Sequence, residues 1–391
     1  MESKTVKTYL GILFGFWVSH SFFFATYVVF LRERGMDLFQ INLINAFFMV
    51  GVFLMQLPTG AFADVVGRKV SFIIACLFFS ISMLVYYCSR TFWFFVAAEL
   101  IGAVASAFYS GALEAWIVDL LRQEEEPDLS QLFKEQQIIE QVAVMTGSLI
   151  GGYAGTKDIA LPWLLSSIGI ALTGVAGWFL IKEAKGLQRH SGWMRINDII
   201  LESIRYGLTK KSVLYIIVFD TLCLFVIQAP NMQWQVIFKE TFKVSPLILG
   251  WIFCLVTLVL ALGGSISRWF LGKVKNEKRA IILSQVLTAS GIIIASQISN
   301  LFPFLIWFLL HEFGRGLYQP LKKAYINHRI PDEKRATILS FSSMVAMMGA
   351  ALGLILSGYL AKRFSVSMAW EVSGLILGVS IPVFLKLKNG D

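Results

Sequence analysis

The sequence predicts an all-α integral membrane protein that crosses the bilayer twelve times. Three observations carry that reading. Hydrophobic residues make up 57% of the 391 positions while charged residues make up only 15%. A water-soluble chain usually carries about a quarter charged residues and could not hide so much apolar surface. Apolar stretches near the ~20 residues needed to span a bilayer as helix recur along the whole chain. The net charge of +9 sits in the short connectors between those stretches, where it follows orientation in a membrane and not a nucleic-acid-binding stripe.

Taken in order, the spans fall at about 8–30, 41–63, 70–89, 92–118, 137–157, 160–181, 213–237, 247–269, 280–299, 302–325, 337–360 and 368–386. The opening MESKTVKTY leads into the first apolar run without a small-residue cleavage site, so that run is read as a span and not a removed leader. Two connectors are polar. Residues 119–136 contain Glu124, Glu125 and Glu126, and residues 182–212 are rich in Lys and Arg. The second divides the chain into a bundle of six helices over 1–181, a linker over 182–212 and a second six-helix bundle over 213–391. Within the linker Ile196, Ile199, Ile200, Ile204 and Leu208 recur at helical spacing, which predicts an amphipathic helix lying on the membrane surface.

Counting basic residues orients the chain. With both termini in the cytoplasm, 25 of the 34 Lys and Arg lie in cytoplasmic connectors and tails. Only eight lie opposite (Arg32, Arg34, Arg90, Lys157, Lys239, Lys243, Lys362 and Arg363), and Arg315 lies inside a span. An eleven- or thirteen-span layout would scramble this bias, so the positive-inside rule favours twelve. Cys76, Cys88, Cys223 and Cys254 show no CxxC spacing, and neither a disulfide framework nor a zinc site is expected. The chain has no G-x-x-x-x-G-K-[ST], HExxH or G-x-S-x-G pattern, so neither ATP-driven, zinc-protease nor serine-hydrolase chemistry is indicated.

Between the second and third spans lies Gly60-Ala-Phe-Ala-Asp64-Val-Val-Gly67-Arg68-Lys69. Gly60 allows close helix approach, and Gly67 allows a tight turn. Asp64 and Arg68 place opposite charges at a helix terminus, where they can latch neighbouring helices. This pattern resembles the signature loop of the major facilitator superfamily and keeps all of its fixed positions. A degenerate copy, Gly264-Ser-Ile-Ser-Arg268-Trp-Phe-Leu-Gly272-Lys273, occurs about 204 residues later, and Glu99 in the fourth span matches Glu312 in the tenth. The resemblance implies two pseudo-symmetric six-helix bundles around a central cavity, with substrate bound near the midplane. It also implies that Arg68 pairs with an acid closing the fourth span on the cytoplasmic side, Asp119, with Glu114 as the competing partner.

Gly147-Ser148-Leu-Ile-Gly151-Gly152 in the fifth span resembles the antiporter motif of the drug-efflux branch, with Ser148 in place of its proline. Small residues at that spacing also serve ordinary helix packing. Where drug/proton antiporters usually carry an Arg in the fourth span, this chain has Glu99.

Ionisable residues within spans are costly unless they are paired or face a wet cavity. They are His20, Glu99, Glu114, Glu140, Asp220, His311, Glu312 and Arg315. His20 lies ~18 Å into span one, and Arg315 is similarly deep in span ten. Arg315 follows Glu312 by three residues and His311 by four, so all three can share a helix face. They can form a structural ion pair, or Arg315 can face substrate while Glu312 or Glu99 exchanges a proton. Burial favours a carboxylate's uncharged form, which suits such exchange. Asp220 is either a cavity acid involved in coupling or the partner of a cytoplasmic base. Gln228-Ala-Pro230-Asn231-Met-Gln233-Trp234-Gln235 reads either as a broken, polar substrate path or as the outer end of span seven. The candidate substrate-binding set is therefore His20, Glu99, Tyr109, Asp220, Gln233, Trp234, His311, Arg315 and Tyr318.

Three functions stay open: proton-coupled export of small amphipathic molecules, proton-coupled import of an anionic or zwitterionic metabolite, or a polytopic sensor or enzyme that moves nothing. The first two need a substrate, protons and a lipid bilayer, with a proton gradient and no bound cofactor, no metal and no nucleic acid. A monomer in a cell membrane, the bacterial inner membrane, is the expected setting.

Overall fold

The computed structural model describes residues 4–121, 129–182, 211–328 and 332–385, and it is helical almost throughout. The helices are α1 (Lys4–His20), α2 (Tyr27–Glu33), α3 (Leu38–Val66), α4 (Arg68–Cys88), α5 (Phe92–Tyr109), α6 (Ala112–Leu121), α7 (Leu129–Lys157) and α8 (Leu161–Leu180). They continue as α9 (Lys211–Val236), α10 (Pro246–Val274), α11 (Glu277–Ser296), α12 (Leu301–Asn327), α13 (Asp332–Arg363) and α14 (Val366–Leu385). Pairing α1 with α2 and α5 with α6 gives twelve spans among the described residues, at the positions the apolar stretches predict. The surface-helix expectation for the linker, and Glu124, Glu125 and Glu126, lie outside the described residues.

Eight of the described spans are long and apolar enough to cross a bilayer on length and composition alone. Four spans fall outside that group: α14, whose apolar stretch Val366–Pro382 is shorter, and α7, α9 and α12, which carry the polar faces of Gln136 and Glu140, Asp220 and Gln228, and His311, Glu312 and Arg315. Their polar groups turn to neighbouring helices, while large apolar side chains elsewhere, such as Phe179, Phe302 and Val379, stay exposed. In lipid that surface is solvated.

Two spans expected to run unbroken are interrupted. Span one unwinds after His20 into a short 3-10 turn at Ser21–Phe23 before α2 begins. Ser21 Oγ donates back to the Val18 carbonyl and Thr26 Oγ1 to that of Phe23, the local bonding by which hydroxyls compete with a helix ladder. Span four breaks at Ser110–Gly111, where Gly111 has φ of +72°, a left-handed conformation that glycine adopts freely. Conversely, α9 is not broken at Pro230. It stays helical to Val236 and ends in a π turn at Ile237–Thr241.

The chain divides into two compact units. The first comprises Met1–Met36, Phe47–Trp193 and Val244–Cys254, and the second Asp37–Ala46, Met194–Lys243 and Leu255–Asp391. In the first unit the start of α10 packs on α7, where a Cβ on Gly152 would sit 2.8 Å from the Pro246 carbonyl. In the second, the first turns of α3 pack on α13. Asn42 Nδ2 donates to Ser357 Oγ at 3.2 Å, and Lys362 Nζ meets Asp37 Oδ2 at 2.8 Å. Asp37 also caps α3 reciprocally with Gln40: each accepts a hydrogen bond from the other's backbone amide.

Candidate functional site

In the first unit the interruption of span one organises the polar groups. Helix α7 crosses it glycine-first: a Cβ on Gly147 would collide with Ser21 Oγ and the Val18 carbonyl, and one on Gly151 with the Phe22 carbonyl. Close approach fixes the unwound turn and the rings it carries. His20 stacks on Phe16 at 5.5 Å between ring centres, with Trp17, Phe24 and Phe79 meeting it edge-on, and its Nδ1 has no hydrogen-bond partner. Tyr109 stacks on the same Phe16 at 4.2 Å.

On the far side of that turn, Glu99 of α5 is buried. Its Oε1 accepts hydrogen bonds from Tyr27 Oη at 2.8 Å and Tyr86 Oη at 2.6 Å. Tyr86 lies flat on Trp163 (4.1 Å), and Phe23 stacks on the same indole (4.2 Å). Both donors go to one oxygen. A second polar chain runs from Tyr9 Oη to Gln136 Oε1 (2.7 Å), and Gln136 Nε2 donates to Glu114 (2.9 Å) and Glu140 (3.1 Å).

The signature loop sits where α3 meets α4. Gly67 has φ of +125°, outside the range open to side-chain-bearing residues, so the chain reverses there. Arg68 opens α4, which packs against α6, whose first turn carries exposed Glu114 and whose last turn carries half-buried Asp119. Lys69 Nζ lies 5.3 Å from the Trp178 ring centre. Helix α3 includes Gly60 and Asp64, but the Asp64 side chain lies outside the described residues.

The second unit carries two charge clusters on α12. Arg315 Nη1 donates to both oxygens of Glu312, at 2.9 and 2.7 Å, and to Asn231 Oδ1 of α9 at 2.9 Å. Glu312 is buried, whereas the Arg315 side chain is 27% exposed. His311 Nε2 approaches Glu312 Oε1 to 3.3 Å but without hydrogen-bond alignment, while Nδ1 contacts the Phe308 carbonyl. One turn on, Asp220 Oδ1 binds Lys322 Nζ at 2.8 Å and Tyr318 Oη at 3.2 Å. Of its two candidate roles, Asp220 therefore has a basic partner in this structure. A cavity of about 40 Å³ touches Asp220, Arg315, Tyr318, Gln285 and Thr288, room enough for water among polar partners. Gln233 and Trp234 do not border it. Both are buried, with Gln233 Nε2 on the Ser357 carbonyl at 3.1 Å and Trp234 stacked on Phe308.

The structure thus gathers His20 and Tyr109 around one ring cluster, and Asp220, Arg315 and Tyr318 around one cavity, while Glu99 stands in its own tyrosine pocket. Sequence reading missed Tyr27, Tyr86, Gln136, Asn231 and Lys322 as partners. Tyrosines in apolar runs give no signal, though the polarity of Asn231 inside a span was one.

Twelve helical spans, eight of them long and apolar enough to cross a bilayer, with ionisable clusters held inside two helical units, define a polytopic membrane protein. The chain belongs to the Major Facilitator Superfamily, whose profile matches residues 9–229 and 214–390. It is 24% identical to the MFS-type transporter YxaM of Bacillus subtilis (strain 168), across 94% of this chain and 93% of that protein. Multidrug resistance protein 2 of the same organism is 23% identical over 88% of this chain and 87% of its own length. In fold it is similar to the nucleoside transporter NupG, with a TM-score of 0.77, 15% identity and coverage of 98% of this chain and 99% of that one.

Proposed function

We propose that the chain is a proton-coupled exporter of small amphipathic molecules, working by alternating access as a monomer in the bacterial inner membrane, with both termini cytoplasmic. The observation that carries this reading is Glu99, a carboxylate buried among aromatic rings and held by two tyrosine hydroxyls on one oxygen. Such a group can gain or lose a proton without losing its place. The ring cluster around His20 and Tyr109 supplies apolar, π-rich contact for a small amphipathic substrate. Similarity to a multidrug resistance protein supports export. The proton gradient is the energy source, with no bound cofactor. Arg68 with Asp119, backed by Glu114, Asp64 and Lys69, is proposed to latch the cytoplasmic side.

Glu312 and Asp220 are secondary candidates for coupling. A second reading, import of an anionic or zwitterionic metabolite with protons, is favoured by Arg315, which stays part-exposed beside a polar cavity. A sensor or enzyme that moves nothing has no motif in its favour.

Proteoliposomes with an imposed pH gradient separate these readings. A lipophilic fluorescent compound should move against the proton gradient through the wild-type chain, and Glu99→Gln should reduce that flux at least tenfold. Full proton-driven flux in both Glu99→Gln and Glu312→Gln would remove these acids from the mechanism. Proton-linked uptake of an anionic metabolite would favour the second reading.

A further inference from the structure

We propose that the groove between α1 and α8 is a binding site for an anionic phospholipid, with the headgroup at Lys4 and Lys7 and one acyl chain lying along Gly11 and Gly15. The groove encloses about 490 Å³ and is lined by Lys4, Lys7, Thr8, Gly11, Ile12 and Gly15 on α1, with Leu172, Thr173, Ala176 and Leu180 on α8.

Its shape follows from two glycines on one face of α1. At Gly15 the helices nearly touch, because a Cβ there would lie 3.4 Å from Thr173 Oγ1. One turn earlier, a Cβ on Gly11 would meet no atom of the described residues within 4 Å. The helices therefore diverge from Gly15 toward the lysines and leave a wedge floored by backbone. From Lys7 to Gly15 the wedge runs ~12 Å at 1.5 Å per residue, most of the ~15 Å hydrocarbon depth of a single leaflet. An acyl chain of one leaflet fits that length, and its headgroup then falls level with the two ammonium groups.

Charge selects the headgroup. Both ionisable side chains lining the groove are cationic, and no acidic side chain lines it among the described residues. Lysines at the lipid surface attract anionic headgroups, and the apolar remainder of the lining suits a hydrocarbon chain over a soluble anion. The site lies within the first unit and takes no part in the Glu99 pocket or the signature loop.

The test is native mass spectrometry of the full-length chain released from nanodiscs holding equal phosphatidylglycerol and phosphatidylcholine. The wild type should retain phosphatidylglycerol in preference. Substituting Lys4→Gln and Lys7→Gln should cut that preference about fivefold for each lysine removed. Gly11→Leu puts a branched side chain into the wedge at a position where a Cβ meets no described atom within 4 Å, so it should displace the bound lipid while leaving the unfolding temperature in lipid-free detergent unlowered. Equal retention of the two lipids by the wild type would overturn the proposal. So would phosphatidylglycerol retention unchanged in Lys4→Gln/Lys7→Gln or in Gly11→Leu.

Discussion

Replacing Gly151 with alanine tests whether the crossing of α7 over the unwound turn of span one is the pivot of the first unit. The added Cβ would collide with the Phe22 carbonyl oxygen and lie 2.8 Å from Phe22 Cα, whereas non-bonded carbons settle at ~3.5–4.0 Å. The obstacle is backbone, so no rotamer change relieves it, and α7 must retreat by on the order of 1 Å. Overpacking of this kind costs roughly 1–3 kcal/mol, against which alanine returns up to about 1 kcal/mol of helix propensity. Gly11→Ala is the matched control: the same chemical change, on the same unit, in open space. Thermal unfolding in detergent, followed by tryptophan fluorescence, should show Gly151→Ala melting several degrees below the wild type and Gly11→Ala at or slightly above it. Equal melting of the two variants would refute the claim that the glycine face of α7 is fixed by contact with the interrupted span.

Three further outcomes follow from the charge clusters and the tyrosine pocket. Glu312→Gln leaves Arg315 with only Asn231 and an amide; because Arg315 is part-exposed, the loss should be about 1–3 kcal/mol, below the cost of breaking a fully buried pair. Denaturation of Glu312→Gln/Arg315→Gln should recover part of that loss, and a double variant as unstable as the sum of the single ones would contradict the pairing. Tyr86→Phe keeps the ring on Trp163 but removes one donor to Glu99, and should cost about 1 kcal/mol in the same assay. Burial pushes the Asp37 carboxyl up, but hydrogen bonds from Lys362 and the Gln40 amide outweigh it and hold the group below the usual carboxylate range. Its depressed pKa makes the contribution present above about pH 4 and lost as pH falls through the native value. Asp37→Asn should therefore be less stable than the wild type by under about 1 kcal/mol near neutrality, the two converging in acid. A difference that persists unchanged to low pH would mean that the charge of Asp37 is not its source.

Much of the architecture was legible in the sequence because lipid imposes a length on every apolar run. All twelve spans lie within a few residues of the expected positions, except that α7 and α13 extend further into polar sequence. The interruptions were not legible. Nothing in Ser21-Phe22-Phe23 marks an unwound turn, since hydroxyl back-bonding and a glycine face on a helix about 125 residues away decide it together. Chemistry was readable where spacing on one helix sufficed, as for Glu312 and Arg315. It was hidden where partners come from different spans: Tyr27 and Tyr86 meet Glu99, and Lys322 meets Asp220, only through tertiary packing. Of the two readings of the Pro230 segment, the broken helix is the one not seen, because a proline inside a packed span need not break it.

The most direct measurement is of protons themselves. Vesicles containing the purified chain and a pH-sensitive dye, with an amphipathic substrate added on one side, report whether substrate moves protons. The wild type should show a proton flux opposite in direction to the substrate, and Glu99→Gln should show none while still binding substrate. Proton movement in Glu99→Gln equal to that of the wild type would contradict the assignment of coupling to the buried carboxylate.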